Sequence, residues 1–383
     1  MAGDMNPYAC WLAGIEGVGN KTIRALLTRT NGAEEIFGMP EEEIAEILGS
    51  EMKKRQAAEK TAAKIAAAQK RDPAECAARI AEKGISFTSM EDEKYPERLR
   101  DIPDPPYALY YYGDLPAEGA PSVAIIGSRN CSSYGREQAR IFAEKIAASG
   151  ISVVSGMARG IDGIAGRAAI NAGGRSYAVL GCGVDVIYPR ENEQLYYMLK
   201  EKGGIISENP PGTEPRSVLF PMRNRLISGL SDAALIVESR RKSGTVITVD
   251  SALEQGRDIF AIPGRVCDSL SDGCNYLISQ GAGIACSPDT ILEHFWGVSD
   301  SGTDMTQTQR KLRMRRREEL DGMDAVFFDV LGVGEVMETE FLISRAEGII
   351  NRRIGADEFV SCMVRLQLLG LAREIGMGHY MGI

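Results

Sequence analysis

Histidine is almost missing from this chain: among 383 residues only His294 and His379 occur, far apart in sequence. A His-rich metal site or a Ser-His-Asp hydrolase therefore has little material to be built from. The eight cysteines form no C-x-x-C pair, so zinc-type and redox-pair spacing is absent and no disulfide framework is expected. No run approaches the roughly 18 apolar residues of a membrane span. The start, Met1 to Pro7, has neither the basic residues nor the apolar stretch of a signal peptide. The reading is a cytoplasmic protein without a membrane span. Positive charge is not in excess either. A formal net charge of −9 argues against a protein that coats nucleic acid with its whole surface, while leaving room for a local basic groove. The P-loop pattern is lacking too: Gly14 to Thr22 resembles it only until Asn20 falls between Gly19 and Lys21. No G-x-G-x-x-G follows the first strand of the central region. An ATP-hydrolysing site and an ordinary NAD site are both disfavoured, and no cofactor, metal or catalytic set is expected.

What is present is ordinary globular material, 44% apolar and 25% charged, enough for two or three domains at roughly 150 residues each. Residues 1–80 read as a helical, Ala-rich N-terminal domain, with a run of helix formers from Glu51 to Arg71. A proline-dense connector, Tyr95 to Pro106, leads into the aromatic stretch Tyr107 to Tyr112, which has strand character. Short β-branched runs then alternate with helix-length segments: Val123–Ile126, Ile151–Val154, Ser176–Leu180, Gly204–Ile206, Ala233–Val237 and Asp258–Ile262. Their lack of polar alternation fits parallel strands buried on both faces. Residues 85–296 are thus expected to form an α/β domain, a doubly wound sheet. A polar linker with a basic run from Arg310 to Arg317 occupies 297–318. The segment 319–383 reads as three helices and a Gly-punctuated hairpin, Arg373 to Tyr380, the pattern of a winged helix.

In such sheets ligands bind where strands hand over to helices, and four of these loops are rich in Gly, Ser and Arg. The first holds Gly127, Ser128, Arg129 and Ser132. Amide donors, a helix N-terminus and a guanidinium suit a phosphate, although Ser133 could simply cap the helix. The second holds Ser155, Gly156 and Arg159, with Asp162 read as a structural cap that Arg159 could pair with instead of binding a ligand. The third places Arg223 and Arg225 around Asn224 at a helix entry, and the fourth opens a helix with Ser243, Gly244 and Thr245 behind Arg240, Arg241 and Lys242. One such loop is weak evidence; four on one sheet edge point to binding a phosphate-rich polymer.

The segments Tyr95–Leu99, Ile126-Gly-Ser-Arg129, Ser155-Gly-Met-Ala-Arg-Gly-Ile-Asp162, Leu180–Asp185, Tyr188–Asn192, Phe220-Pro-Met-Arg-Asn-Arg225, Val237-Glu238, Ser243-Gly-Thr245 and Ile262-Pro-Gly264 resemble, in content and order, those of the DprA/Smf family of bacterial DNA-processing proteins. The resemblance implies an extended Rossmann-like domain that binds and protects single-stranded DNA and loads the RecA recombinase on it during natural transformation, working as a homodimer. It implies Arg129, Arg190 and Arg223 as phosphate contacts beside donors Ser128 and Ser155, with Tyr188 either stacking on a base or buried in the core. One departure is visible: where the family carries a histidine after its Gly-Ile-Asp run, this chain has Gly166. Gly17-Val18-Gly19 looks like the turn of a helix-hairpin-helix (SAM-like) element, able to offer amides to a phosphate or to serve as a plain core turn. Leu366, Leu368 and Leu369 of the winged-helix segment are expected in its core.

Two other readings stand beside DNA binding. Rossmann-like nucleoside-monophosphate phosphoribohydrolases carry a catalytic glutamate where this chain has Thr248, and a hydroxyl cannot replace that carboxylate. Alternatively, the flanking domains make the protein chiefly a scaffold for other proteins.

Overall fold

The six β-branched runs become strands because almost nothing in them is polar enough to face water. β3 (Ser122–Ile126), β4 (Ser152–Ser155), β5 (Ser176–Val179), β6 (Gly204–Ser207) and β7 (Ala233–Ile236) are buried at every position, and only Asp258 of β8 (Asp258–Ala261) is exposed. In this computed structural model, which describes residues 5–51, 55–296, 314, 316–317, 319–320, 322–331, 336–376 and 378–382, they form one sheet with three further strands. These are β1 (Ser86–Ser89), β2 (Ala108–Gly113) and β9 (Gly283–Ile284). Among the described residues the order is β1-β2-β6-β5-β4-β3-β7-β8-β9. The strands from β6 to β9 run parallel, while β2 pairs antiparallel with β6 and β1 antiparallel with β2. The fold is α/β with a mostly parallel central sheet.

The order of the strands fixes where a ligand can enter. The chain travels outward from β3 through β4 and β5 to β6, then returns to β7 on the other side of β3. The crossovers therefore diverge at the carboxyl ends of β3 and β7, and diverging crossovers leave a crevice. Helices Ser133–Ala148, Ile161–Asn171, Leu219–Gly229 and Gly244–Glu254 follow β3, β4, β6 and β7. Phe142, Ile146 and Ile161 pack with Val123, Val153 and Leu235, whereas Leu226 and Val249 pack with Ile126, Val154 and Ile236.

The N-terminal segment contains helices Pro7–Ala13, Asn20–Leu27, Ala33–Gly38, Glu41–Glu51, Arg55–Ala68 and Pro73–Glu82. Their apolar core, including Trp11, Leu12, Ile44 and Leu48, continues into Phe87, Tyr107 and Tyr110 of the sheet region. Trp11 donates its indole N–H to the carbonyl of Ala68 at 2.8 Å. The turn at Gly17 has φ 78°, a conformation that favours glycine, and it precedes the helix capped by Gly19.

Beyond the sheet, helices Gly322–Val330, Thr339–Ile350 and Ala356–Leu368 enclose their own core with Phe327, Phe328, Leu342 and Phe359. They accompany a small sheet of β10 (Val336–Glu338), β11 (Ala372–Gly376) and β12 (His379–Gly382) in the order β10-β12-β11. Leu366 is buried there, but Leu368 is 82% exposed and Leu369 56%. The expectation of three core leucines is corrected by helix geometry: residues two apart lie on nearly opposite faces, and Leu369 is already the C-cap. The polar linker from 297 to 313, with Arg310, Lys311 and Arg313, and likewise Arg315, falls outside the described residues. Of the basic run, Arg317 pairs with Asp329 at 2.7 Å and Arg316 lies over the Trp296 ring at 4.2 Å.

One polar knot ties the proline-rich connector to the sheet. Arg98 is buried, pairs with Asp232 at 3.1 Å, and donates to the Ser122 hydroxyl at 2.6 Å and the Ala120 carbonyl at 2.7 Å. Asp232 in turn accepts the Ser122 N–H at 2.9 Å. Removing one ion of a buried pair leaves the other unsolvated, at a cost of about 3–5 kcal/mol. Arg98→Met should therefore lower unfolding free energy by about that amount in urea titration, and the double change with Asp232→Leu should recover part of the loss.

Candidate functional site

The loop after β3 reaches its shape by closing on a carboxylate. Glu238, 3% exposed, follows β7, and its Oε2 accepts the Ser132 N–H at 2.9 Å while its Oε1 accepts the Ser132 hydroxyl. The Ser132 oxygen also accepts the Gly135 N–H at 3.1 Å, so Ser132, not Ser133, caps helix Ser133–Ala148. The Ser128 N–H donates to the Glu238 carbonyl at 2.8 Å. A β carbon at Gly127 would stand 2.9 Å from that carbonyl, and one at Gly135 would collide with the Glu238 carboxylate. This helix N-terminus, expected to receive a phosphate, already holds the protein's own Glu238 carboxyl group. The Ser132 hydroxyl, expected as a ligand donor, is engaged by Glu238 and by the Gly135 N–H.

The loop after β4 is equally committed. Ser155, expected as a donor, is buried and gives its hydroxyl hydrogen to the Ile125 carbonyl at 2.8 Å. Asp162 accepts the Gly156 N–H at 3.1 Å, a structural task as expected, but from within helix Ile161–Asn171, whose cap is Gly160. Met157 sits at φ 53° and Gly160 at φ 74°. The Asn192 amide holds the loop by donating to the Met157 and Ala158 carbonyls, both at 3.0 Å. At Gly160 a β carbon would run into the Ser128 carbonyl and lie 2.6 Å from that of Arg129, so the two loops can touch only through glycine. Arg159 is exposed and sits 3.4 Å from Glu191, with Asp162 not its partner.

Arg223 and Arg225 share a helix but not a face. Two residues turn an α-helix by about 200°. Arg223, 4% exposed, points into the sheet end, donating to the Gly156 carbonyl at 3.0 Å and to that of Val179. Burial pushes its guanidinium down to about 10, with Asp162 opposing the shift, so it is cationic at neutral pH. Burial likewise pushes the Asp162 carboxyl up, against the pull of Arg223 and the amides of Gly156 and Ala158. Arg225 turns the other way and forms a two-pronged pair with Glu208 at 2.8 and 2.7 Å, with a further bond to the Asp104 carbonyl at 2.9 Å. Arg225, expected as a ligand contact, is thus engaged by Glu208 and Asp104 and does not line the cavity described below.

At the carboxyl ends of β3 and β7 lies an open cavity of about 660 Å³. Gly127, Ser128, Arg129, Arg223, Ser243, Gly244 and Thr245 line it, together with Arg240, Asn224, Tyr188 and Phe220. Gly156 and Arg159 border a smaller recess that shares Arg129, Arg223, Tyr188 and Phe220. Arg190 is exposed on the 3₁₀ turn Arg190–Asn192 and is not part of either wall. The Tyr188 and Phe220 rings lie 5.4 Å apart at 30°, and the Arg129 guanidinium lies 5.7 Å above Phe220. Helix Gly244–Glu254 opens on the cavity from Ser243, which makes no side-chain cap bond and instead shares a 2.8 Å hydrogen bond with the Ser239 hydroxyl. In contrast to helix Ser133–Ala148, among the described residues no carboxylate caps its first turn. Gly166 lies outside this wall. A β carbon there would meet Ser176 Oγ at 3.4 Å and Leu195 at 3.5 Å, against the next strand and helix.

Sequence reasoning missed Glu238, Asn192 and Phe220 as organisers. Glu238 was visible only as part of a resembling segment; a lone carboxylate after an apolar strand carries no signal of what it will cap. Among the described residues no group of three or more His, Cys, Asp or Glu could hold a metal. Since Glu238 receives two donors in a buried place, Glu238→Ala should destabilise the fold by about 1–3 kcal/mol or more, read as a lowered denaturant midpoint, and should loosen residues 127–135 in amide hydrogen exchange.

The model of the family DNA recombination-mediator protein A matches residues 86–296. Protein Smf of Escherichia coli is 44% identical over 205 residues, covering 53% of this chain and 55% of that protein; the alignment thus spans about half of that relative's length. The X-ray structure of DNA processing protein A from Streptococcus pneumoniae superposes with TM-score 0.65 at 33% identity, covering 75% of this chain and 97% of that one. A structure of DNA processing protein A from Helicobacter pylori, whose subject is a single-stranded DNA binding mode, has TM-score 0.50 and 30% identity over 54% of this chain and 94% of its own. With more than half of its length matched, including all four loops built above, this chain belongs to the DprA/Smf family.

Proposed function

We propose that this protein binds single-stranded DNA by its backbone at the β3/β7 crevice, protects it, and passes it to the RecA recombinase during DNA uptake. The observation that carries the reading is the Tyr188–Phe220 pair beneath Arg129, beside the open N-terminus of helix Gly244–Glu254. Aromatic faces accept any base, and a guanidinium with free amides accepts phosphate. That combination suits a flexible strand without sequence preference. Support comes from the related Helicobacter pylori protein, described for its single-stranded DNA binding. Arg129, Ser128, Gly127, Ser243, Gly244 and Thr245 make the anion-facing wall, with Arg223 as a buried cation behind it and Arg159 and Arg190 at the periphery.

In this reading the molecule is a homodimer, and residues 1–80, 85–296 and 319–383 are separate domains joined through 297–318. The first is a helix-hairpin-helix-type module and the last a winged helix. Among the described residues no helix is long and apolar enough to cross a membrane, and the proposed place of action is the cytoplasm. The proposed role is non-enzymatic. Thr248, which stands where a phosphoribohydrolase has its glutamate, is a nearly buried part of the cavity lining and brings no carboxylate base. Release of free base from AMP by the purified protein would reverse that conclusion.

A gel-shift series with single-stranded DNA, duplex DNA and RNA at fixed salt should show preference for the single strand. Affinity for oligo-dT should fall with salt at a slope of about 0.7 per neutralised phosphate; a flat salt response would reject the phosphate-based site. Arg129→Ala should weaken binding to all sequences alike, by about tenfold, because phosphates carry no sequence information. A changed base preference at unchanged affinity would count against the arrangement.

A further inference from the structure

A second concave surface, about 510 Å³, adjoins the crevice through Arg129. It runs between helices Ser133–Ala148 and Ile161–Asn171 and ends at the 3₁₀ turn Arg190–Asn192. Arg136 and Arg140 come from one wall, one helical turn and about 6 Å apart along the axis. Arg167 comes from the other, and Arg159 stands at the entrance beside Arg129. Two carboxylates face these five cations, Glu144 and Glu191. Arg140 is paired with Glu144, and with Glu137, at 2.6 Å. Arg159 meets Glu191 only at 3.4 Å, with both side chains exposed. Among the described residues Arg136 has no carboxylate partner, and Arg167 reaches only the neutral Gln194 at 3.4 Å. A local cationic excess of this kind, in a chain with net charge −9, is not what solubility requires. Exposed pairs such as Arg140–Glu144 contribute little and can yield to a phosphate.

We infer that this arginine groove is a second phosphate-binding stretch, along which a single strand continues after leaving the crevice. Its ligand is the phosphodiester backbone of the flanking nucleotides. The groove contributes charge without base contacts, since among the described residues no aromatic side chain lines it. Arg129, common to both walls, is the point where the strand passes from one to the other.

The inference rests on the single-strand reading above, and the test separates the two. Oligo-dT of about 4 and about 16 nucleotides, the span of one single-strand site, is bound by wild type and by R136A/R167A at fixed salt. Fluorescence anisotropy reads the affinity. In the variant, affinity for the long oligonucleotide should drop about tenfold, with about 0.7 lost from the salt slope for each contact removed; affinity for the short one should be unchanged. Wild-type binding of both with an unaltered variant overturns the groove alone. Equal weakening of both oligonucleotides also overturns it, as a general effect on the protein. Failure of wild type to bind either overturns the crevice reading and the groove with it. R136K/R167K keeps the charges and should keep the slope; a lysine pair as weak as the alanine pair would show lost packing rather than lost charge, and would overturn the inference.

Discussion

A carboxylate at a helix N-terminus is a favourable arrangement in itself, and in this protein the Glu238 side chain occupies that place. Both oxygens of Glu238 are engaged by Ser132, and its backbone carbonyl takes the Ser128 N–H. The strand β7 thereby positions the loop that follows β3. That loop in turn presents Ser128 and Arg129 to the crevice and abuts Gly160 of the neighbouring loop. The charge–dipole attraction involved is modest at a surface, about 0.3–1 kcal/mol, and larger where partly buried. Its importance lies in geometry: without it three separately encoded loops have no common anchor.

The same economy governs the arginines. Arg98 and Arg225 are consumed by buried or nearly buried carboxylates, and Arg223 spends one nitrogen on the carbonyls at the ends of β4 and β5. Among the described residues Arg129 has no carboxylate partner and lies over an aromatic ring, where a planar guanidinium is well held without losing its outward charge. In the proposed reading a phosphate at the crevice meets two exposed cations, Arg129 and Arg240, backed by the buried Arg223. Desolvating Arg223 costs part of its proton affinity, hence the depression to about 10, but its charge persists, and its attraction for an anion is greater in the lower dielectric.

The strands were legible because burial on both faces forces a composition that almost no other element shares, and Val123 to Ile126 or Ala233 to Val237 could hardly be anything else. Edge strands β1 and β9 escaped notice: Ser-Phe-Thr-Ser has one apolar residue among three hydroxyls, and Gly283–Ile284 is two residues long. The loops were legible as a set but not residue by residue. Nothing in Phe220 to Arg225 says that Arg223 faces inward and Arg225 outward until the helix start at Leu219 fixes the phase. The hydroxyls of Ser132 and Ser155 were ambiguous for a related reason: serine after a strand serves a ligand or the protein itself equally well, and here they donate to the Glu238 carboxyl group and the Ile125 carbonyl. Leu368 and Leu369 failed on phase too, since an apolar pair beside the buried Leu366 reads as core until the helix turns it outward.

Arg225 has a different use, which links the crevice to the N-terminal helices. Glu208 receives Arg225 on both oxygens and also the Asn20 amide at 2.8 Å, while the Asn20 carbonyl accepts the Tyr107 N–H at 3.1 Å. Asp104 of the connector joins Arg225 at 3.3 Å and Arg24 at 2.8 Å. One acid-base network therefore spans helix Asn20–Leu27, the proline-rich connector and helix Leu219–Gly229. Ion pairs of this sort gain little net stability over apolar packing, and their better-attested contribution is to fix one register among several. Here the register fixed is that of Leu219–Gly229, the helix that sends Arg223 toward the crevice and begins next to Phe220's aromatic partner. A shift along its axis by a single residue would turn Arg223 by about 100° and take it off the Gly156 carbonyl. The N-terminal helices thus bear on the site without touching it, by holding in phase the one helix whose two arginines must point in opposite directions.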